Sequence, residues 1–281
     1  MILSGCESTI DFQVDSPPRL TIISNFSPEQ GQRVYVHASL SPSDSSQFYT
    51  PDNLVVNVTE NESDVTVRLD PVTEGGEYFF KIPTDFLKAG LSYSITAFAP
   101  GFPPVQATTS IPNPSSVSDL LIRDVLITPS EVQENKKNIH YTLQFNIDHF
   151  GLNRYYHLVF YNQYIASPNI LFIKDPNPSD AHTFIHHYDF GVLIDKDDLD
   201  PEEPLSFDFD DYILDNNKLV RVTVELRSIT EEYYKYHSTL TRQLQLINDP
   251  FAEPVSIFNN IEGGYGNFSG FTHSITSFDL P

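Results

Sequence analysis

The sequence predicts an all-β protein made of two β-sandwich domains, and three observations lead to that prediction. Segments in which apolar and polar residues alternate recur along most of the chain, which is typical of strands with one buried face. The chain also contains 21 Phe and 15 Tyr, residues that favour pleated, half-buried surfaces. Between two groups of such segments stand Pro112 and Pro114, which cannot donate to a strand ladder.

The first group of segments predicts a complete sandwich. Residues 33–40 alternate most clearly, with Val34 and Val36 on one face and Tyr35 and His37 on the other. Six further strands are predicted at residues 19–24, 54–59, 65–69, 78–82, 92–98 and 105–111. Seven strands within about ninety residues indicate a sandwich.

The predicted domain organisation is a polar tether at residues 1–18, a first sandwich at 19–112 and a larger β-rich domain at 117–281. Strands of the second domain are predicted at residues 120–127, 140–147, 155–161, 170–173, 220–226 and 233–246. We expect the two domains to have separate cores and separate sheets.

Three stretches are predicted to lie outside the strands. Residues 84–88 favour a single helical turn, and the acidic stretch 176–217 favours a long loop with one or two short helices. The last thirty residues mix aromatics and glycines irregularly, which predicts a segment that wraps across the second sandwich without pairing in it. Within it, Phe251, Ile257, Phe258 and Ile261 are expected to pack on the second domain.

The charge balance limits the classes of partner. Sixteen basic and 38 acidic residues give a net charge of −22, which repels a nucleic-acid backbone. An acidic surface instead favours cationic partners, including divalent ions.

The single cysteine, Cys6, excludes disulfide frameworks, zinc ribbons and iron–sulfur sites. The run Leu3-Ser4-Gly5-Cys6 resembles a bacterial lipobox, in which the cysteine becomes the lipidated first residue of the mature protein. Because only Ile2 and Leu3 provide apolar residues before it, we expect the rest of a signal peptide to lie upstream of this sequence. The membrane anchor is then lipid alone, since no apolar run approaches the ~18 residues of a membrane span.

A family resemblance lies mainly at the C-terminus, which reads Asp-Pro-Phe at 249–251, Asn-Ile-Glu-Gly-Gly-Tyr-Gly at 260–266 and Asn-Phe at 267–268. This resembles the closing segment of a lipoprotein family of Bacteroidota known as domain of unknown function 4249. Cys6 and residues 89–112 and 227–234 resemble the same family. The resemblance implies a first domain similar to transthyretin-like or immunoglobulin-like modules and genes near TonB-dependent outer-membrane receptors, with no catalytic residues.

The acidic run of residues 195–200 is the candidate metal site. Several carboxylates on irregular backbone can wrap calcium, and the candidate ligands are Asp195, Asp197, Asp198 and Asp200. The EF-hand pattern is absent, because no Gly stands at the sixth position and no Glu at the twelfth. A solvated acidic loop is the alternative. His182, His186 and His187 lie close in sequence, and we interpret them as solvated loop histidines more readily than as metal ligands.

Paired tyrosines are the candidate partner-binding residues, because Tyr buries area while its hydroxyl still finds a partner. The candidates are Tyr155, Tyr156, Tyr233 and Tyr234, with packing inside the strands as the alternative. The leading hypothesis is a lipid-anchored accessory protein of the bacterial outer membrane, at the cell surface or the periplasmic face. It binds a TonB-dependent receptor or another β-barrel and is not an enzyme. The alternatives are a surface hydrolase acting on glycan or peptide and a structural subunit of an envelope assembly.

Overall fold

The structure is a computed structural model, and it describes residues 17–30, 32–39, 49–131, 134–148, 153–177, 184–200, 203–249 and 251–280. Cys6 lies outside these ranges. The strands of the described residues are β1 (Leu20–Phe26), β2 (Arg33–Ala38), β3 (Val55–Glu60), β4 (Val65–Arg68), β5 (Asp70–Glu74), β6 (Glu77–Lys81), β7 (Ser92–Phe98), β8 (Val105–Ser110), β9 (Ser116–Pro129), β10 (Lys136–Asp148), β11 (Tyr155–Tyr164), β12 (Ser167–Lys174), β13 (Ile185–His186), β14 (Val192–Asp195), β15 (Leu205–Leu214), β16 (Leu219–Ile229) and β17 (Tyr265–Asp279). A helical turn of the 3₁₀ type covers Lys196–Asp198, and helix α1 covers Glu231–Leu246. The prediction of an all-β, sandwich-like protein is confirmed.

The first core lies between the sheet β4-β3-β7-β8 and strands β1, β2, β6 and β5. Val34 and Val36 of β2 are buried in it, as the alternation predicts, while Tyr35 and His37 between them are half-buried. The predicted helical turn at residues 84–88 is a short turn and not a helix, closed by a hydrogen bond from Phe86 N–H to the carbonyl of Pro83.

The second core lies between the three-stranded sheet β15-β10-β9 and strands β14, β11, β16 and β17. Phe160 of β11 reaches across the core, with its ring centroid 5.0 Å from those of Phe207 and Phe209 on β15. Each half of the chain therefore buries its own apolar faces.

The two halves nevertheless share one sheet, and our prediction of separate sheets is wrong. Strand β17 pairs in parallel with β1 along residues 265–270 and antiparallel with β16 along residues 271–279. It thereby joins strands of both cores into one ten-stranded sheet.

The prediction that the last thirty residues wrap without pairing is wrong for residues 265–279, and glycine explains the error. Gly266 lies so close to β1 that a Cβ there would stand 1.9 Å from the carbonyl oxygen of Ile22. Glycine is thus required for the close approach of two strands, whereas in sequence it suggests a loop.

The segment before β17 contacts both the first core and helix α1, so our prediction that it packs on the second domain holds only in part, for Phe258, whose N–H donates to Thr239 Oγ1. Ile261 is buried in the first core, and the Phe268 ring stacks on Phe26 at 4.6 Å. Ile257 is partly exposed, and Phe251 is 93% exposed. Pairing of β17 with β1 places this segment over the first domain.

Helix α1 replaces the strand predicted at residues 233–246. Thr230 caps the helix by accepting a hydrogen bond from the N–H of Tyr233, and Glu231 forms an ion pair with Lys235 one turn on. The buried residues Tyr233, His237 and Thr241 recur every four positions, which places them on one face of the helix.

The acidic stretch 176–217 contains more strand than predicted. It holds β13, β14, the 3₁₀ turn and the ten-residue β15, so the predicted long loop is wrong. Leu205, Phe207 and Phe209 are buried and the intervening Ser206 and Asp208 are exposed. This is the alternation of a half-buried strand.

Candidate partner-binding surface

Strand β12 exposes four consecutive apolar side chains. Ile170, Leu171, Phe172 and Ile173 are 52%, 49%, 38% and 47% exposed, and we call these residues the β12 edge. Among the described strands, β12 pairs with β11 alone. A solvated strand normally has one polar face, whereas the β12 edge is apolar on both. Such a strand is typical of a surface that another molecule covers.

Strand β9 carries a second set of exposed apolar residues, namely Leu121, Val125, Leu126 and Ile127. Here the strand is irregular: its register against β10 shifts, and Asp124 has a φ of 54°. Arg123 and Asp124 also place charges between the apolar residues. β12 also shifts register, against β11 between Asn162 and Tyr164, so the charges within β9 make it the less suitable docking site.

The surroundings of the β12 edge are acidic. Lys174 at the end of β12 is neutralised by Asp211 at 2.7 Å, and Asp210 beyond it is 69% exposed. From residue 174 to residue 218 the chain has 13 acidic residues and three lysines. The potential next to this apolar strand is therefore negative.

The predicted partner-binding tyrosines lie mostly inside the protein. Tyr155, Tyr156 and Tyr233 are 8%, 0% and 3% exposed, and Tyr234 is partly buried against the same cluster. The Tyr155 and Tyr234 rings stack at 4.6 Å, which holds α1 on the sheet. Our interpretation of these tyrosines as surface contacts is wrong for the three buried ones, because Tyr155 and Tyr233 pack between α1 and the sheet while Tyr156 lies in the second core.

The predicted calcium ligands lie at or just after the 3₁₀ turn, and an arginine engages two of them. Arg154 donates to Asp195 from Nε at 3.0 Å and from Nη2 at 2.8 Å, and its Nη1 lies 3.2 Å from Asp197. Burial raises the pKa of Asp195, but hydrogen bonds from Arg154 and the Asp197 amide hold it below its usual range. Asp198 and Asp200 follow on the same turn. Calcium would have to displace Arg154, and the site stays a prediction.

Our sequence analysis did not predict a cluster of three histidines. His157 of β11, His187 before β14 and His237 of α1 lie with successive ring centroids 4.7 and 4.8 Å apart. Nδ1 of His187 accepts from the backbone N–H groups of Asp189 and Phe190, so its Nε2 carries the proton. The interpretation of His187 as a solvated loop residue is wrong, and His182 lies outside the described residues. The only signal in the sequence was the four-residue spacing of Tyr233 and His237 on α1.

Burial lowers the pKa of all three histidines, in the case of His187 to about 4, and Arg227 lowers each further. The cluster is therefore neutral near pH 7. His237 Nε2 lies 3.0 Å from the side-chain amide of Asn25 on β1. The cluster thus connects α1 to the first domain.

A buried ion pair lies beside the histidines. Arg227 Nε is 2.7 Å from Glu225 Oε1, and Gln30 from the first domain donates to the same oxygen at 3.1 Å. Burial raises the pKa of Glu225, but the charge of Arg227 and hydrogen bonds from Arg227 and Tyr161 outweigh it and lower the pKa below its ordinary value. These contacts fasten the two domains and are typical of structural ion pairs.

A shallow pocket of ≈ 380 Å³ lies on the first domain, lined by Ile23, Ser24, Asn25, Gln32, Arg33, Tyr35, Glu74, Phe79 and Lys81. Arg33 stands 4.4 Å above the Phe79 ring and pairs with Glu74 at 3.4 Å. The pocket is therefore lined by both apolar and charged residues.

Neither a metal-binding group nor a membrane-spanning helix is found among the residues that the structure describes. No group of three or more His, Cys, Asp or Glu side chains is arranged to hold a metal ion. No described helix has the length and apolar character needed to span a membrane.

Fold and surface together define a two-core β-sandwich protein with an open apolar edge strand. The family described as domain of unknown function (DUF4249) matches residues 7–276, and the chain belongs to that family. No curated protein matches the chain. Among solved structures, it is similar to a chain of the work titled "Chaperone-tip adhesin complex is vital for synergistic activation of CFA/I fimbriae biogenesis". The identity is 9%, the match covers 74% of this chain and 83% of that one, and the TM-score of 0.22 supports no statement about function.

Proposed function

We propose that this chain is a lipid-anchored, non-catalytic binding protein of the bacterial outer membrane that docks on a β-barrel such as a TonB-dependent receptor. The exposure of Ile170, Leu171, Phe172 and Ile173 on one strand carries the proposal. Large exposed apolar patches on soluble domains mark interaction sites, because leaving them in water forgoes the hydrophobic free energy of burial. The lipobox-like run that ends at Cys6 supports the location.

Cys6→Ser tests the anchor, since serine cannot form the thioether that carries the lipid. Acyl chains contribute about 0.8 kcal/mol for each buried methylene, so a multiply acylated cysteine holds a protein at the membrane. In cells that carry the complete gene, we expect the unaltered protein in the membrane fraction and Cys6→Ser in the soluble or unprocessed fraction. If both mature proteins stay equally membrane-bound, lipid is not the anchor.

Affinity purification from native membranes in mild detergent tests the partner. We expect a β-barrel protein to co-purify with the tagged chain in reproducible stoichiometry. Recovery of the chain alone would contradict the proposal. Recovery with envelope proteins but without a barrel would favour the alternative of a structural subunit.

Ligand capture by the first domain is a second candidate, favoured by the pocket around Arg33 and Phe79. An apolar ring beside fixed charges suits a sugar or a peptide with both apolar and polar groups. Calorimetric titration with oligosaccharides and peptides tests it, with Arg33→Ala, which alters an exposed lining residue, expected to abolish any binding. The hydrolase hypothesis needs two converging carboxylates, and Glu74 is the single carboxylate that lines this pocket.

A further inference from the structure

In the part of the chain that the structure describes, the side of β12 that faces away from β11 is an edge of the sheet. β12 pairs with β11 through the register Lys174 to Phe160, Ile173 to Tyr161 and Phe172 to Asn162, and no described strand pairs with its other side. The backbone N–H and C=O groups on an edge are a ready template for another strand.

Three other described edge strands, β5, β4 and β13, carry features that block such pairing. β5 contains Pro71 and begins and ends with an acidic residue. β4 has four residues and ends at Arg68, and β13 has two residues. β12 has Pro168 near its start and Lys174 at its end, but its central residues 169–173 contain neither charge nor proline. Natural sheets normally protect their edge strands. The uncharged apolar centre of β12 is therefore best explained by a partner molecule that covers it.

Both faces of the β12 edge offer apolar contacts to an added strand. Ile173 lies on the face of Tyr161, its register partner, and Leu171 shares that face because side chains alternate. Phe172 lies on the opposite face, where its ring meets Tyr164 at 5.4 Å. An added strand would therefore contact apolar side chains at every central position.

Charge decides between a second copy of this chain and a different partner. A net charge of −22 opposes the approach of two copies, and Asp211 lies next to β12, 2.7 Å from Lys174. A strand flanked by lysine or arginine would instead be attracted to this surface.

We infer that the β12 edge accepts an extended strand from the partner, apolar at its centre and basic at its ends, by antiparallel or parallel addition to the sheet. Main-chain hydrogen bonds provide the affinity, the apolar rows around Leu171 and Phe172 select the central residues, and the acidic surroundings select the ends. The inference rests on the proposed function only for the identity of the partner, since strand addition is measurable on the isolated chain.

The probe is a synthetic peptide of about nine residues, a strand's length, with alternating Val and Ile at its centre and lysines at both ends. A matched peptide carries glutamates in place of the lysines. Two further peptides carry N-methyl groups on alternate residues, one set on each edge of the strand. We expect the lysine peptide to bind at least about tenfold more tightly than the glutamate peptide. One N-methyl pattern should abolish binding and the other should leave it intact, because a strand uses only one edge to pair.

Leu171→Lys places a charge on the exposed edge and should abolish peptide binding without changing the circular dichroism spectrum. Val65→Lys is the matched control, since Val65 is 51% exposed on an edge strand of the first domain, and should bind as the unaltered chain does.

Equal binding of both N-methyl patterns, equal binding of lysine and glutamate peptides, or no binding at all would overturn the inference. A dimer that Leu171→Lys dissociates would show that the occupant is a second copy. Peptide binding without a barrel in the membrane purification would leave the edge as inferred and refute the proposed partner.

Discussion

His187 and His237 are joined by a hydrogen bond of 2.9 Å between Nε2 and Nδ1, and this bond connects the approach to β14 with helix α1. Asn25 extends the connection to the first domain, 3.0 Å from the other ring nitrogen of His237. Nδ1 of His187 accepts from two backbone N–H groups, and the bond between the two rings needs one acceptor nitrogen, so this arrangement requires a neutral His187. The contact between the domains is therefore built from groups that acid would charge.

Acidification should weaken the fold before most carboxylates titrate. Burial lowers the pKa of His187 to about 4 and those of His157 and His237 well below the usual value, whereas an unfolded histidine titrates near ~6.5. Between these pH values the unfolded chain holds more protons, so the free energy of unfolding falls as pH falls. From pH ~7.5 to ~5.5 we expect a loss of ~1 kcal/mol for each fully buried histidine, measured by urea unfolding.

Two variants separate this effect from general acid sensitivity. His187→Gln removes one buried titrating ring and should make the pH dependence shallower. His140→Gln alters a histidine on the exposed side of β10, beside Asp210, and should leave the slope near that of the unaltered chain. Stability that stays flat or rises as pH falls over this range would refute the assignment of neutral, buried histidines.

Gly266→Ala should destabilise the protein strongly, because the new methyl group meets the carbonyl oxygen of Ile22 and the residue has a φ of +114°. We expect a loss of ~3 kcal/mol in the free energy of unfolding, from steric overlap plus backbone strain. Gly101→Ala is the control, since its φ is +85° and nothing lies within 4 Å of the new Cβ, so strain alone should cost about 1 kcal/mol. Equal losses would mean that β17 does not lie this close to β1.

Arg227→Met should leave Glu225 charged and buried without its partner. Their side chains are 14% and 6% exposed, and breaking a buried pair costs ~3 kcal/mol. Arg221→Met breaks the exposed pair with Asp279, whose side chains are 44% and 70% exposed, and should cost less than about 1 kcal/mol. Chemical denaturation of both variants measures the difference, and comparable losses would contradict the burial of the Glu225 pair.

The sequence predicts the fold well where local alternation and burial agree. Val34 and Val36 of β2 are an example, because each lies on the face that the pattern assigns. It fails where a tertiary contact determines the conformation. The glycines near residue 266 suggest a loop in the sequence, whereas in the structure they allow β17 to lie close to β1. Tyr233, His237 and Thr241 suggest a strand by residue type, whereas their four-residue spacing fits one face of a helix.

The candidate site shows the same division. An apolar run at residues 170–173 predicts a strand, but a sequence does not reveal that no other strand covers it. The buried histidines come from β11, the approach to β14 and α1, which are far apart in the chain, so only the fold brings them together. The buried tyrosines fail as surface candidates because Tyr155 and Tyr233 pack between α1 and the sheet and Tyr156 lies in the second core.

Photocrosslinking in living cells tests the central claim most directly. A benzophenone amino acid replaces Leu171 on the β12 edge in one strain and Val65 on the first domain in another, both in the complete gene. We predict that irradiation joins the Leu171 variant, but not the Val65 variant, to an outer-membrane β-barrel protein identified by mass spectrometry. No adduct from position 171, or the same adducts from both positions, would contradict docking through this edge.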